Sequence, residues 1–426
     1  MKKYQPVILY FCAGDFARKL PVGELRYPIY LLSKRWPVLL VEPPLTLRER
    51  LRRGHRMEVF KRSRSLRRFP DTKMAIFTPR VPLPYSIRLP LPCSLKKQLL
   101  KWNVREISHQ AMWAFRRLWP GKALPDIVWG TIFHHADFFH QVRGKHNLAI
   151  IDDNFPVSPV FSCRQKKRVA RMEKKLIRRS EYIFTTSRTL FEEKRKINPN
   201  TVMMENGVSR LFLPENRSEL DVVIRQSSTS EQRILGKIKS LPRPRLGYVG
   251  AVNIRLWRPI IEQIPNLPPA VQTCFVGNID DSFPKDLLGA LKSCPQVHFF
   301  PYMSHALIPL LMEEFDLLLL PFQKTRFSHY INPLKLSEYL TSGKPILSTS
   351  LTEVVRICSQ KQGLVDFIGD PGDFPGLVEQ ALIQDRPEMR NARIQMARQR
   401  TWEKTTAEMM SIVEGLLEGG TTPQNS

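Results

Sequence analysis

Two side chains of opposite charge, Lys335 and Glu338, lie three residues apart within residues 331–350. The apolar residues around them recur at helical spacing, so the stretch predicts a short helix on which the lysine and the glutamate share a face. A cation and a carboxylate near the free amides of a helix N-terminus are suited to an anion and to hydroxyl groups. The ends of this helix are marked by an N-cap residue, a proline at the first helical position and a C-terminal glycine: Asn332, Pro333 and Gly343. Taken alone, however, the pattern favours an ordinary helix–strand unit with a solvated ion pair.

Loops at the ends of neighbouring predicted strands carry further groups that suit a phosphorylated ligand. Gly250 follows the strand predicted over residues 245–249, and its missing side chain would let backbone amides approach an anion. Arg255 can add a charge-assisted hydrogen bond, which contributes roughly 1.5–3 kcal/mol. Gly277 and Tyr302 follow the next two predicted strands and frame an adjoining pocket, in which the tyrosine could stack on a base. Each of these features is common in α/β proteins when taken alone.

The first half of the chain offers fewer groups that could do chemistry. His134 and His135 lie in a loop after a predicted strand, where a single histidine is more often a satisfied surface residue. Asp152 and Asp153 could imitate a metal pair, but no third acidic or histidine ligand is near in the sequence, so no metal is predicted. No serine–histidine–aspartate order, phosphate-binding P-loop or zinc-protease motif is present. The six cysteines show no paired spacing, which predicts reduced thiols in a cytoplasmic protein.

Apolar segments alternate with amphipathic ones along the chain, which predicts an α/β fold with two parallel sheets. A polar segment that ends in Leu241-Pro-Arg-Pro is predicted to link the two halves. Two such halves would form a cleft at the carboxyl ends of their strands, where open α/β folds bind ligands. The predicted domains are an N-terminal one over 1–240 with a basic excursion at 48–100, a C-terminal one over 241–395, a closing helix over 396–418 and a tail over 419–426.

The chain is strongly basic, with 66 Lys and Arg against 39 Asp and Glu and a formal net charge of +27. Two segments concentrate this charge, an irregular one from Arg48 to Arg68 and a predicted amphipathic helix from Arg164 to Arg179. Such surfaces favour anionic lipid headgroups, at about 1 kcal/mol per well-placed cation. The segments contain few aromatic residues for stacking on bases, so a nucleic-acid partner is not predicted. No apolar run reaches the roughly 20 residues that span a bilayer, so the expected location is cytoplasmic and peripheral at the inner face of the membrane.

The order and spacing of several segments resemble the GT-B glycosyltransferases, in particular the family 4 enzymes of cell-surface polysaccharide synthesis. The second half carries LGYVGAV (246–252), FDLLLLPF (315–322), NPLKLSEYLTSGKPILST (332–349) and TWEK (401–404). The first half adds RYPIYLLSKRWPVLLVEPP (26–44), IDDNF (151–155), SEYIFTTS (180–187) and NPNTVMMENGV (198–208). The resemblance implies two Rossmann-like domains that face each other across a cleft, with a C-terminal helix that crosses back to the first domain.

The resemblance also implies an activity and a set of roles. The C-terminal domain would bind a nucleoside-diphosphate sugar, and the N-terminal domain a glycan or lipid-linked acceptor. Transfer would retain the anomeric configuration and need no metal or other cofactor. Glu338 would hold the ribose, Arg255 and Lys335 the diphosphate, and one of the adjacent histidines, His134 or His135, would contact the sugar. The remaining donor contacts would come from the loops and the helix start: Gly250, Ala251, Gly277, Tyr302, Asn332, Pro333 and Leu334.

One position departs from the family pattern. Many members carry two glutamates eight positions apart, and the residue eight positions before Glu338 is Tyr330. Either Asn332 or Lys335 would then take over the contact with the sugar. The alternative hypothesis is a non-catalytic relative that binds a sugar or a nucleotide without transferring it. The sequence gives no indication of the oligomeric state, the donor sugar or the base.

Overall fold

The computed structural model describes residues 5–13, 26–46, 66–81, 92–216, 218, 227–359 and 361–418. The predicted loop at Gly14 and Asp15, most of the basic excursion and the predicted tail lie outside these ranges. The described chain forms two compact units. The first contains the residues up to Met204 and from Thr406 onward, and the second contains Glu205 to Thr405.

The first unit is built on an eight-stranded sheet with the order β3-β4-β2-β1-β5-β6-β7-β8. All neighbouring strands are parallel except β3 and β4, which are antiparallel. The central strands are buried along their whole length, as expected for a sheet covered on both faces. The strands are β1 (Ile8–Phe11), β2 (Val38–Val41), β3 (Leu66–Arg68), β4 (Met74–Phe77), β5 (Ile127–Gly130), β6 (His146–Ile151), β7 (Tyr182–Thr185) and β8 (Thr201–Met203).

In the part of the first unit that the structure describes, five helices connect these strands: α1 (Arg26–Arg35), α2 (Cys93–Leu118), α3 (Phe138–Gln141), α4 (Cys163–Arg179) and α5 (Arg188–Arg195). The basic amphipathic helix predicted over Arg164–Arg179 is confirmed as α4. Its N-terminus is fixed by a capping box, in which Ser162 and Gln165 satisfy each other's backbone amides. The buried side of α4 is apolar apart from Glu173, whose carboxylate binds Lys194 of α5 at 2.6 Å.

The region from residue 48 to 100 was predicted to be an irregular surface excursion, and this prediction is wrong for its described part. Met74–Phe77 is a fully buried strand that pairs with β2 in parallel register. The neighbouring prolines mask this strand in the sequence, because they are typical of loops. Helix α2 likewise begins at Cys93, inside the predicted excursion.

The second unit is built on a six-stranded, entirely parallel sheet with the order β11-β10-β9-β12-β13-β14. Central strand β12 consists of four leucines, all buried, and apolar clusters pack on both faces of the sheet. The strands are β9 (Arg245–Val249), β10 (Gln272–Val276), β11 (Val297–Phe300), β12 (Leu317–Leu320), β13 (Ile346–Thr349) and β14 (Asp366–Ile368).

The helices of the second unit flank this sheet. They are α6 (Thr229–Lys239), α7 (Arg258–Ile261), α8 (Lys285–Lys292), α9 (Ile308–Glu313), α10 (Leu334–Ser342), α11 (Thr352–Cys358), α12 (Phe374–Gln384), α13 (Pro387–Gln399) and α14 (Trp402–Thr405). A last helix, α15 (Ala407–Glu418), belongs to the first unit, where Met409, Ile412 and Val413 join its core. The predicted α/β fold with two sheets is therefore confirmed, with one sheet entirely parallel and the other parallel except at the β3–β4 pair.

The C-terminal segment is not the single closing helix predicted over 396–418. It is divided into α13, α14 and α15, because the backbone around Arg400 bonds to another segment. Val208 donates to the Arg400 carbonyl at 2.8 Å, and Trp402 donates to the Val208 carbonyl at 3.1 Å. These bonds also hold residues 205–208 in the second unit, so the units divide after Met204, whereas the predicted linker ends near 244. The bounds of the functional domains stay a prediction.

No helix within the described ranges has both the length and the apolar character needed to cross a membrane.

Candidate functional site

Helix α10 begins one residue later than predicted. Its N-cap is Pro333, and no side chain caps the helix, so the prediction of Asn332 as the N-cap is wrong. Asn332 is instead held by its backbone, since its carbonyl accepts a hydrogen bond from Asn206 Nδ2 at 2.6 Å. The predicted C-terminal stop is confirmed, because Gly343 adopts the left-handed conformation with φ at 67°.

Gly250 lies directly against Lys335. A Cβ atom at residue 250 would fall 2.3 Å from Lys335 Cε and 2.7 Å from Nζ, which is closer than packed atoms approach. The φ angle of Gly250 is 151°, a conformation that other residues rarely adopt. The absence of a side chain at position 250 therefore provides the space that the lysine occupies.

The two glycines of the site also depend on each other. A Cβ atom on Gly277, whose φ is 150°, would fall 2.1 Å from the Gly250 carbonyl oxygen. The amide of Gly250 donates to the Val276 carbonyl at 2.8 Å, and that of Gly277 donates to the Phe300 carbonyl at 3.0 Å. Both amides are thus used inside the sheet, and the two glycines contribute to the site by their lack of bulk.

Glu338 is buried on α10 and binds His305, whose Nε2 lies 2.6 Å from Glu338 Oε1. Burial raises the pKa of the Glu338 carboxyl, but the opposing effects of His305 and Lys335 together are larger and hold it below its usual range. The carboxylate is therefore ionised at neutral pH. His305 itself packs against the Phe212 ring, with 4.8 Å between the ring centroids.

The cations of the site lie close enough to affect one another. Burial lowers the pKa of Lys335, Glu338 opposes this, and Arg255 lowers it further. Arg255 is exposed, and its guanidinium lies 5.6 Å from the centroid of the Phe327 ring. A buried lysine beside a second cation gains electrostatic energy when an anion with two or more charges binds between them.

The supporting side chains fix α10 on the sheet. Tyr339 is buried, and its hydroxyl accepts a hydrogen bond from the Val249 amide at 2.9 Å. On the following loop, the Tyr248 hydroxyl donates to the Ala251 carbonyl at 2.9 Å. Gly247 allows Phe315 to pack on β9, because a Cβ atom there would lie 2.3 Å from the phenylalanine ring. These contacts hold the end of β9, the Gly250 loop and the start of α10 together.

The back of α10 is held by an ionic network within the second unit. Arg400 donates to Ser337 Oγ at 3.3 Å and to Glu205 Oε2 at 2.5 Å. Glu205 also binds Arg356 of α11, which in turn pairs with the buried Glu353 at 2.9 Å. The NGV segment joins this network through the Asn206 carbonyl, which accepts from Arg400 at 3.5 Å.

Two tyrosines, Tyr302 and Tyr330, lie in segments that border the site. Tyr302 follows β11 and is 47% exposed, on the same loop that carries His305. Tyr330 lies in a short 3-10 helix, Ser328–Tyr330, before α10, and its ring meets His329 edge-on with 5.5 Å between centroids. The stacking role predicted for Tyr302 stays a prediction.

The two histidines of the first unit have different environments. His135 is buried, and its Nδ1 accepts a hydrogen bond from the Thr131 amide at 2.9 Å. Burial and then the neighbouring His134 lower the pKa of His135 to about 3. Burial, followed by Arg168, lowers the pKa of His134 to about 4, although Asp137 opposes the shift. Both rings are neutral at neutral pH, and the bond to Thr131 gives His135 a structural role.

The structure thus groups Arg255, Lys335 and Glu338 with the glycine loop and the start of α10. Sequence reasoning missed His305, the hydrogen-bonding partner of Glu338. The signal for it was its position shortly after β11, at the same sheet edge as the other loops. Among the described residues, no three histidine, cysteine or acidic side chains cluster so as to hold a metal ion.

Solved structures with the same architecture span nearly the whole chain. HepE from Anabaena in complex with UDP-glucose aligns with a TM-score of 0.61 and 13% identity, over 96% of this chain and 99% of HepE. A trehalose-6-phosphate synthase from Burkholderia multivorans aligns with a TM-score of 0.63 and 9% identity, over 97% of this chain and 98% of the synthase. The chain has the GT-B fold.

A sequence match to one curated relative agrees with the GT-B fold. The match is 25% identical over 252 residues to a Bacillus subtilis protein described as "Putative teichuronic acid biosynthesis glycosyltransferase TuaH". It covers 58% of this chain and 59% of TuaH, so it spans little more than half of the relative's length. No protein-family model matches the chain. The predicted resemblance to GT-B glycosyltransferases is confirmed, and membership of family 4 stays a prediction.

Proposed function

We propose that this GT-B protein is a glycosyltransferase that moves a sugar from a nucleoside-diphosphate sugar to a glycan or a lipid-linked acceptor. The observation that carries the proposal is the group formed by Lys335, Glu338 and Arg255 around the glycine loop at the end of β9. The fold supports it, because the GT-B proteins HepE and trehalose-6-phosphate synthase have the same arrangement of two parallel sheets. The sequence match to TuaH supports the same class of reaction.

In this proposal the second unit binds the donor. Lys335 and Arg255 receive the diphosphate, whose charge offsets the burial of Lys335 and its repulsion by Arg255. Glu338, kept ionised by His305, accepts hydrogen bonds from the ribose hydroxyls. The loop of Gly250 and Ala251, with Gly277 behind it, leaves the space for this ligand. Asn332, Pro333 and Leu334 lie at the helix start, where the donor sugar would be bound.

The transfer step breaks the bond between the anomeric carbon and the diphosphate oxygen. The acceptor hydroxyl forms the new bond to that carbon, and its proton passes to the departing diphosphate. Lys335 and Arg255 stabilise the negative charge that develops on the leaving group. This route retains the configuration without a protein nucleophile and without a metal ion. His134, as a neutral imidazole, would contribute a hydrogen bond to the sugar rather than a charge.

The acceptor and the cellular setting are part of the same proposal. The basic helix α4 and the net charge of +27 support a peripheral position at an anionic membrane surface. The name of TuaH supports a role in cell-surface polysaccharide or glycolipid synthesis.

A second candidate function is a binding module without transferase activity. Tyr330 favours it, because this side chain replaces the carboxylate that many family 4 members place eight positions before Glu338. Such a module would retain the donor contacts of Lys335 and Glu338 and lack turnover.

The test is a panel of UDP-, GDP- and TDP-sugars, measured first for thermal stabilisation and then for hydrolysis of the bound donor. We expect at least one sugar nucleotide to stabilise the wild-type protein and to be hydrolysed slowly. Glu338→Ala should remove the stabilisation. Stabilisation without hydrolysis or transfer to any acceptor supports the binding module, and no stabilisation by any nucleotide sugar refutes both functions.

A further inference from the structure

A groove of about 1090 Å³ lies in the first unit between helices α2 and α4. Its walls are the N-terminal half of α2, the outer side of α4, and the segment from Ala136 to Gln141. None of the residues assigned to the donor lines the groove, and apart from His134 they belong to the second unit. A concavity of this size suits a bound molecule rather than a flat surface contact.

The charge of the groove is strongly positive. Seven cationic side chains line it, four from α2 and three from α4: Lys96, Lys97, Lys101, Arg105, Arg168, Arg171 and Lys175. Asp137 is the single carboxylate among the described lining residues, and it is bound by Lys175 at 2.5 Å. No further carboxylate among the described lining residues neutralises the other six cations. The groove is therefore complementary to a ligand with several negative charges.

The lining of the groove is also partly apolar, and we call this apolar part its floor. Leu100 and Val104 of α2 and Met172 of α4 belong to it, and methionine adapts readily to irregular apolar ligands. Trp102 lines the groove and remains 46% exposed, although a tryptophan is costly to leave in water. A sugar phosphate alone would leave these side chains uncovered, whereas a ligand with an apolar chain would cover them.

One wall of the groove, α4, is held in place by polar and apolar contacts. Arg179 donates to the Ala136 carbonyl at 3.0 Å, and Lys175 binds Asp137, so α4 is fixed to the segment that closes the groove. The buried face of α4 packs through Val169, Leu176 and Ile177. The cations of α4 therefore lie on a helix that is fixed to the body of the first unit.

We propose that this groove binds a lipid phosphate, that is, a phosphate or diphosphate ester carried on an apolar chain. The cations receive the phosphate groups, and Leu100, Trp102 and Met172 cover the first part of the chain. This ligand chemistry occurs in membrane phospholipids and in lipid-linked acceptors. The second source would make the groove the acceptor site, and in that respect alone the inference rests on the proposed function.

The experiment measures binding calorimetrically, without any nucleotide sugar, for three soluble probes. They are farnesyl diphosphate, dihexanoyl phosphatidylglycerol and inorganic diphosphate. We expect one of the two lipid phosphates to bind at least about tenfold more tightly than inorganic diphosphate, because only the lipids cover the apolar floor. Preference for farnesyl diphosphate identifies a lipid-linked substrate, and preference for the phosphatidylglycerol identifies a membrane lipid. Equal affinity for inorganic diphosphate and both lipids refutes the proposal.

Two triple variants with the same change of charge separate the groove from general electrostatics. Replacement of Lys97, Lys101 and Arg171 by glutamine should weaken lipid binding about hundredfold, at about tenfold or less for each cation. The control replaces three exposed cations of the same helices that do not line the groove, Arg116, Lys167 and Lys174, and should change the affinity by less than about threefold. Equal losses in both variants contradict a specific site.

A third variant tests the apolar contact. Trp102→Ala should weaken the binding of the lipid phosphate and leave that of inorganic diphosphate unchanged.

A single-stranded oligonucleotide that binds the groove as tightly as the lipid phosphates would overturn the proposal in favour of nucleic acid. Donor binding should be intact in the groove triple variant. If lipid phosphate binds and no nucleotide sugar does, the groove assignment stands and the proposed function fails.

Discussion

Replacement of Gly250 by alanine tests how the donor site is built. The new Cβ would lie 2.3 Å from Lys335 Cε, whereas nonbonded carbons settle at about 3.5–4.0 Å. The lysine side chain must therefore move by more than about 1 Å, away from the position where it would meet a diphosphate. The backbone conformation at φ 151° adds strain of about 1–3 kcal/mol, which lowers the free energy of unfolding.

The expected loss of donor affinity follows from the contact that is removed. One charge-assisted hydrogen bond contributes roughly 1.5–3 kcal/mol, so Gly250→Ala should raise the dissociation constant of the nucleotide sugar by about 10- to 150-fold. Titration calorimetry gives this constant, and urea denaturation gives the loss of stability. Gly289→Ala in α8 is the matched control, since a Cβ atom there meets nothing within 4 Å. It should leave donor affinity unchanged and raise helix stability by up to about 1 kcal/mol.

A double-mutant cycle with Lys335→Ala isolates the cause. Once Cε and Nζ of the lysine are removed, the alanine at residue 250 has room, so it should cost stability through its φ angle but no further donor affinity. Additive losses of affinity in the double variant would show that Gly250 acts through something other than Lys335. An unchanged affinity in Gly250→Ala alone would refute the reasoning outright.

Three further predictions concern titratable groups. His305→Ala removes the partner that helps keep the Glu338 pKa low. Donor binding should therefore become weaker at the acidic end and recover as the pH rises, as measured by calorimetry from pH 4 to 8. A pH profile identical to that of the wild type would contradict this. A bound diphosphate should raise the lowered pKa of Lys335. Donor affinity should therefore be highest below the Lys335 pKa of the free protein and fall above it by up to about tenfold per pH unit. Lys335→Arg should abolish this pH dependence, and its persistence in that variant would contradict the assignment. Burial, and then Asp153, raise the pKa of Asp152 to about 7. Its protonated form is therefore favoured by folding, and stability is lost as the pH rises from about 4 to 7. Asp152→Asn should accordingly stabilise the protein by about 2–4 kcal/mol at pH 8 and by almost nothing at pH 4 in urea denaturation, and an equal effect at both values would argue against a raised pKa.

Much of the fold could be predicted from local patterns. The strand of four leucines in β12 and the glycine stop of α10 depend on residues that are adjacent in the sequence, and both were predicted correctly. Strand β4 was missed because nearby prolines imitate a loop, although its own residues are all apolar. The break in the C-terminal helix was missed because it depends on backbone bonds between Val208 and residues 400 and 402, which are remote in the sequence.

In the candidate site, too, local patterns were predicted from the sequence and contacts between remote residues were not. The charged pair on α10 was identified from its spacing of three residues. The pairing of Glu338 with His305 could not be, since it joins residues that meet only when β11 and α10 are placed at one sheet edge. The role of Gly250 was predicted as an amide donor, but register between β9 and β10 commits that amide to Val276. Tertiary pairing, rather than residue type, decides which groups remain available to a ligand.

The most direct test of the donor-site assignment is calorimetric titration of the wild type, Lys335→Ala and Glu338→Gln with the UDP-, GDP- and TDP-sugars. We predict that at least one nucleotide sugar binds the wild-type protein. Each variant should weaken that binding by about tenfold or more, because each loses one charge-assisted contact. The assignment is contradicted if no nucleotide sugar binds, or if one binds all three proteins equally well.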